Sequence, residues 1–292
     1  MPTLSPADID HFLEFGYVLV KDCFPRDVAA EWVAHGFKRL GYEPDDPTTW
    51  AEARIHMGST MSVEIKDFAP KAWHAICELL GGEDRIKQPA RFSDGLIFNL
   101  AERSDEPWQP PSPDRPGWHK DGDFFRHFLD SPEQGLLTLV CWTDVKPRNG
   151  ATFVATDSVP HVARCLADHP EGLLPSELPC QELIRKCSRF AEAVADAGDV
   201  YLLHPYILHA ASQNEARLPR VITNPPIQLK QPMNFNRADP AAHSPVEQAV
   251  LRALGVDRYD FKPTGPRETF VPERVKRQQQ RMEQEKARLA GS

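Results

Sequence analysis

The chain has 292 residues and a net charge of −8, from 34 Lys and Arg against 42 Asp and Glu. That balance argues against a nucleic-acid groove or an anionic membrane surface as partner, and no run approaches the roughly 18 apolar residues of a membrane span. Hydrophobic residues make up 41%, enough for one domain spanning 1–292 with a sizeable core.

Ser5 can cap a first helix, Pro6 suits its first turn and Gly16 its stop. The opening carries no basic, apolar leader, and the six scattered cysteines form no CxxC pair. Free thiols in a cytoplasmic protein are therefore expected. "YVLVKD" reads as a strand, and a second helix covers 26–40. A third begins near Pro70 and stops at Gly81-Gly82, with Trp73, Ile76, Cys77 and Leu80 on one face.

From residue 92 the texture changes to short β-like runs at 95–100, 136–145, 151–156, 199–204 and 220–229. Helices at about 160–168 and 181–187 interrupt them. Ser244-Pro245 opens a further helix that Gly255 ends, and "PERVKRQQQRMEQEKARLAG" is a charged helix with few apolar anchors. Helices first and strands later predict an α+β protein with an antiparallel core at about 92–230 and a helical extension at about 244–292. The proline-rich "EPWQPPSPDRPG" (106–117) is expected to be a surface loop or a lid over a site.

Two stretches carry chemistry. In "GWHKDGDFF" (117–125), His119 and Asp121 stand two apart. On an extended segment both side chains share one face and can converge on one ion. An imidazole with a carboxylate suits Fe(II), whose facial triad needs one more histidine. By itself His-x-Asp arises often by chance. "GDVYLLHPYILHAASQNEARLPR" (198–220) offers His204 and His209, and either alone can equally be a satisfied core histidine. Arg217 and Arg220 follow, and a guanidinium can grip a carboxylate through two parallel hydrogen bonds. Lys120, Arg126 and His127 read either as a solvated rim or as groups that meet an anion.

These residues carry a resemblance to the phytanoyl-CoA dioxygenase family of Fe(II)/2-oxoglutarate oxygenases. "LSPADIDHFLEFGYVLVKDCF" is similar to the family's opening, "WHKDGDFF" to its His-x-Asp segment, "NGATFVATDS" to its glycine turn and strand, and "GDVYLLHPYILHAASQN" to its distal-histidine segment. The likeness runs from about residue 4 to about 228. It implies a double-stranded β-helix, a jelly-roll or cupin-like barrel, with flanking helices. It implies His119, Asp121 and His209 as iron ligands, with His204 supporting, and Arg220 as the 2-oxoglutarate arginine. Trp142 and Asn99 match positions that border the cosubstrate. Trp118, Phe124 and Phe125 would wall the site against water. Where the family often has a serine two places after the distal histidine, this chain has Ala211, followed by Ser212, so that one hydrogen bond to the cosubstrate is either lost or supplied by Thr223. The usual Gly-Ser-His turn is altered to Asp157-Ser158 with His161 later.

The activity so implied uses Fe(II), 2-oxoglutarate and O₂, with ascorbate as an aid in vitro, and hydroxylates a small-molecule metabolite with release of succinate and CO₂. The same site could serve desaturation, epimerisation or cyclisation. A reading from another class is a metal-binding barrel that binds a ligand without turnover. Neither nucleic acid nor membrane is an expected partner, and the oligomeric state is left open.

Overall fold

The computed structural model describes residues 2–291. The chain opens with α1 (Pro6–Phe15), β1 (Tyr17–Val20) and α2 (Arg26–Leu40), then β2 (Arg54–His56), β3 (Ser62–Glu64), α3 (Ile65–Phe68) and α4 (Pro70–Leu80). The middle holds β4 (Arg91–Ser93), β5 (Ile97–Asn99), β6 (Leu136–Cys141), β7 (Thr152–Ala155), α5 (Val159–Ala167) and α6 (Cys180–Leu183). It continues through β8 (Phe190–Ala193), β9 (Val200–Leu203), β10 (Leu208–Ala211), β11 (Arg220–Thr223) and β12 (Pro226–Ile227). Two helices, α7 (Pro245–Leu254) and α8 (Glu273–Gly291), close it.

The punctuation read from the sequence acts as expected. Ser5 and Asp8 form a reciprocal capping box on α1, and Ser244 and Glu247 do the same on α7. Gly16 ends α1 with φ 74°, a left-handed conformation that costs glycine nothing. β1 can then begin one residue later and pair with β9 in register Tyr17↔Leu203.

The fold mixes helices with antiparallel sheets. A larger sheet runs β1-β9-β6-β11-β5-β2, with β12 paired to β6. A smaller one runs β10-β7-β8, and β3 and β4 form a separate pair. The expected core of about 92–230 is thus widened, because β1 and β2 add an edge strand on each side of the larger sheet. The expected strand at 220–229 divides in two, since neither Pro225 nor Pro226 has an N–H to donate to a ladder. Packing of α2 on the sheet is aromatic: Trp32 stacks on Trp142 with ring centroids 4.5 Å apart and planes 6° from parallel. The described residues include no helix long and apolar enough to cross a membrane. All six cysteines are unpaired.

Candidate metal centre

The distal histidine sits on β10, and β10 pairs with β7 in register His209↔Val154. His119 lies in no regular strand. It forms a single bridge on the other side of β10, His119 N–H to His209 O and His209 N–H to His119 O, both at 3.0 Å. The chain then bends at Asp121 and turns at Gly122 (φ 120°). Convergence of the motif therefore comes from one bridge followed by a bend, not from a continuous strand.

The three side chains meet. Asp121 Oδ1 lies 3.3 Å from His119 Nε2 and 3.5 Å from His209 Nε2. All three candidate donor atoms fall within 4.8 Å of one another. Each ring is oriented from behind by a carbonyl two residues back. His119 Nδ1 is 2.7 Å from Gly117 O, and His209 Nδ1 is 3.3 Å from Ile207 O. Those partners accept hydrogen bonds only, so the Nδ1 atoms carry the protons and the Nε2 lone pairs face inward. Asp121 Oδ2 accepts a 2.7 Å hydrogen bond from Asn224 Nδ2, which leaves Oδ1 for an ion. Burial would raise the Asp121 carboxyl, but His209 and His119 beside it hold it well below the usual carboxylate range. Two imidazoles and one carboxylate fit a single Fe(II) and leave three positions of an octahedron open.

The triad opens into a cavity of about 580 Å³. Arg220 on β11 reaches its wall although its side chain is fully buried. Its Nε donates to Gly150 O at 2.7 Å, and its Nη1 is buried with no hydrogen-bond partner. An orphaned guanidinium nitrogen beside a cavity fits an absent carboxylate. Gly150 is needed there. It adopts φ 69°, and a Cβ on it would meet Asn99 Nδ2 at 2.6 Å.

Other expected residues stand elsewhere. Trp142 is behind the wall, not in it: its indole N–H donates to the Thr223 hydroxyl at 3.1 Å, and Thr223 lines the cavity. Asn99 is buried, with Nδ2 donating to Ser212 O and Oδ1 accepting from Glu102 N–H. Of the three aromatics expected to wall the site, only Phe124 does so. Trp118 points the opposite way from His119, as alternation along an extended chain requires, and packs on Phe190. Phe125 is buried against His127. His204 is a fully buried support: its Nδ1 accepts from Tyr206 N–H and its Nε2 donates to Val246 O. Burial pushes its pKa down to about 3. Arg217 is half-exposed and pairs with Asp105.

Lys120 is neither rim nor free. Its Nζ donates to Asp121 O and Gln134 Oε1 and lies 3.2 Å from His127 Nδ1. Arg126 pairs with Glu268. The loop 101–117 supplies none of the residues that line the cavity. Gln213 fastens it, donating to the carbonyls of Arg103, Glu106 and Pro107 and accepting from Gln109 N–H. Sequence reasoning missed Asn224, Arg54 and His56, and the arrival of Arg274 and Gln278 from α8 in the cavity wall. Asn224 directly follows β11 and lies inside the run expected as one strand at 220–229, which gave no reason to single it out.

Two inward imidazoles, one carboxylate and an orphaned arginine in one cavity fit a mononuclear non-haem metal site with an acidic cosubstrate. The phytanoyl-CoA dioxygenase (PhyH) family model matches residues 12–222, and the chain belongs to that family. It is a non-haem iron, 2-oxoglutarate-dependent oxygenase. Among solved structures it is similar to the non-haem α-ketoglutarate-dependent epimerase SnoN from nogalamycin biosynthesis, at 19% identity over 75% of this chain and 80% of that one, with a TM-score of 0.43. HygX from Streptomyces hygroscopicus, with nickel, 2-oxoglutarate and hygromycin B bound, matches at 14% identity, 76% and 86% coverage and TM-score 0.42. EctD from S. alaskensis, with 2-oxoglutarate and 5-hydroxyectoine, matches at 17% identity, 75% and 74% coverage and TM-score 0.42. No curated protein matches the sequence.

Proposed function

We propose that the enzyme hydroxylates a small-molecule substrate, with His119, Asp121 and His209 holding Fe(II) and Arg220 holding the C5 carboxylate of 2-oxoglutarate. The observation that carries this is the buried, unpartnered Arg220 Nη1 in the wall of the same cavity as the triad. A ligand-binding protein without turnover would have no use for a second, buried carboxylate clamp. Bound iron supplies the oxidising chemistry, at the expense of 2-oxoglutarate and O₂. The chain supplies the rest. Carbonyls of Gly117 and Ile207 fix both imidazoles, and Asn224 keeps Asp121 to one free oxygen. Trp142 holds the Thr223 oxygen, leaving the hydroxyl proton free to donate into the cavity where Ala211 cannot. Asn99 sets Ser212 behind β10. Leu137, Leu139, Leu203 and Ile222 line the cavity with apolar surface that limits water around the ion.

We read the two sheets as the halves of a double-stranded β-helix. In chain order β5, the His119 bridge, β6, β7, β8, β9, β10 and β11 fall in the larger, smaller, larger, smaller, smaller, larger, smaller and larger sheet, which supports a barrel wound twice. We also propose one catalytic domain across the chain, since α8 reaches the cavity through Arg274 and Gln278. A cavity of about 580 Å³ suits a small molecule. The unpaired cysteines suit a reducing compartment, and we propose the cytoplasm. Succinate release from 2-oxoglutarate with Fe(II) and ascorbate tests the reading. The wild type should turn over and Arg220→Met should not at the same cosubstrate concentration. Equal succinate from both would sink the cosubstrate assignment.

A further inference from the structure

We infer that the substrate carries an anionic group, a carboxylate or a phosphate, and that Arg54 on β2 binds it. This rests on the reading above, in which Arg220 serves 2-oxoglutarate. Arg54 and Arg220 flank the same residue: β2 pairs with β5 in register Arg54↔Asn99, and β11 pairs with β5 in register Arg220↔Asn99. Directly opposed residues of an antiparallel sheet share a face. The two arginines therefore look into one cavity from strands two apart, about 10 Å at ordinary strand spacing. Both are in its wall. Arg220 is the one set beside Gly150 and the triad strand, which leaves Arg54 for a second anion.

The guanidinium of Arg54 makes no hydrogen bond or ion pair among the described residues, and its Nε is buried without a partner. Two other cations in the wall are already engaged. Arg274 holds Asp123 through two contacts of 2.6 and 2.9 Å. Lys120 is engaged with Asp121 O and Gln134. With a divalent ion and dianionic 2-oxoglutarate in place, the charges of Asp121 and Arg220 bring that group to neutrality. Glu102 attracts Arg54 through space, but its own ion pair is with Arg103. Arg54 remains as the guanidinium without a partner among the described residues that faces the loaded cavity. His56 stands two residues along the same strand, on the same face, and also lines the cavity. Burial, then Arg54, Arg220 and Arg274, push its pKa down to about 4. It is thus neutral near pH 7, offering one N–H donor beside Arg54 to the same oxyanion.

The test uses sulfate as the probe, titrated calorimetrically into full-length enzyme loaded with Mn(II) and saturating 2-oxoglutarate. The wild type and Arg54→Lys should each bind one sulfate. Arg54→Gln should bind it about tenfold more weakly, a change of about 1.4 kcal/mol, while its affinity for 2-oxoglutarate changes less than about twofold. Sulfate binding in Arg54→Gln equal to the wild type would overturn the inference. So would a wild type that binds 2-oxoglutarate but no sulfate, or an Arg54→Gln variant whose main loss is 2-oxoglutarate. A wild type that binds neither Mn(II) nor 2-oxoglutarate would instead bring down the function proposed above, and this inference with it.

Discussion

At the scale of single residues, the proposed ligands and their supports make separable predictions. His119→Ala, Asp121→Ala and His209→Ala should each abolish iron retention, as measured by metal analysis after dialysis. Asn224→Ala should retain the triad but lose about 10–100-fold in iron affinity, because Asp121 Oδ2 loses the Asn224 amide donor. His204→Ala should leave iron content intact, since its ring bonds to Tyr206 and Val246 and not to the cavity. Iron lost from His204→Ala but kept by His209→Ala would reverse the assignment. For the cosubstrate, Arg220→Met should raise the KM for 2-oxoglutarate about thirtyfold or more, corresponding to about 2–5 kcal/mol for a buried charged contact. Arg217→Met should leave it nearly unchanged, because Arg217 is half-exposed and paired with Asp105. The triad was legible because each member sits in a sequence segment with its own signature. Asn224 was not, because its partner lies 103 residues away and no local pattern marks it.

At the scale of elements, most of the regular structure was written locally. The bounds 26–40 for α2 and the caps of α1 and α7 follow from proline, serine and glycine placement. The three-residue strands β2, β3 and β4 were not visible, because "RIH", "SVE" and "RFS" are too short to show a period. β8, "FAEA", carries a charge and an alanine pair that give no strand signal. The charged last helix gave no sign of docking, because what fastens it is an ion cluster rather than an apolar stripe. Arg39 on α2, 3% exposed, binds Asp94 Oδ2 at 2.7 Å, Gly58 O at 2.7 Å and Glu285 Oε2 of α8 at 2.9 Å. Arg39→Met should lower unfolding stability by about 3–5 kcal/mol, since two carboxylates are left buried without their cation. Urea denaturation measures this directly, and a loss under about 1 kcal/mol would mean that water reaches the cluster.

At the scale of the whole molecule, buried neutral histidines tie stability to pH. Burial pushes His204 to about 3, and burial with Lys120 pushes His127 to about 2. Both lie below the unfolded value of about 6.5. Their contribution is complete above about pH 6.5 and is lost as pH falls below it, because the unfolded chain takes up protons that the fold refuses. The unfolding free energy from urea titration should therefore drop from pH 7 to pH 5, by up to about 1.4 kcal/mol per pH unit for each histidine. A His204→Gln variant should show a shallower slope. An unchanged slope would place the acid sensitivity elsewhere. Turnover at low pH should be read only after this loss of fold is subtracted.

The reciprocal bridge between His119 and His209 has a consequence for metal selectivity. Two backbone hydrogen bonds hold the chain at His119 against that at His209, so the spacing of these two proposed donors is set by the sheet rather than by the metal. A preformed pair of nitrogens with one oxygen has no means of its own to reject the later first-row ions, which bind such donors more tightly than Fe(II) does. Choice among metals then falls to supply. Protein purified in air from a medium rich in nickel or zinc should carry those ions in place of iron, and elemental analysis of preparations from two media would show occupancy following the medium.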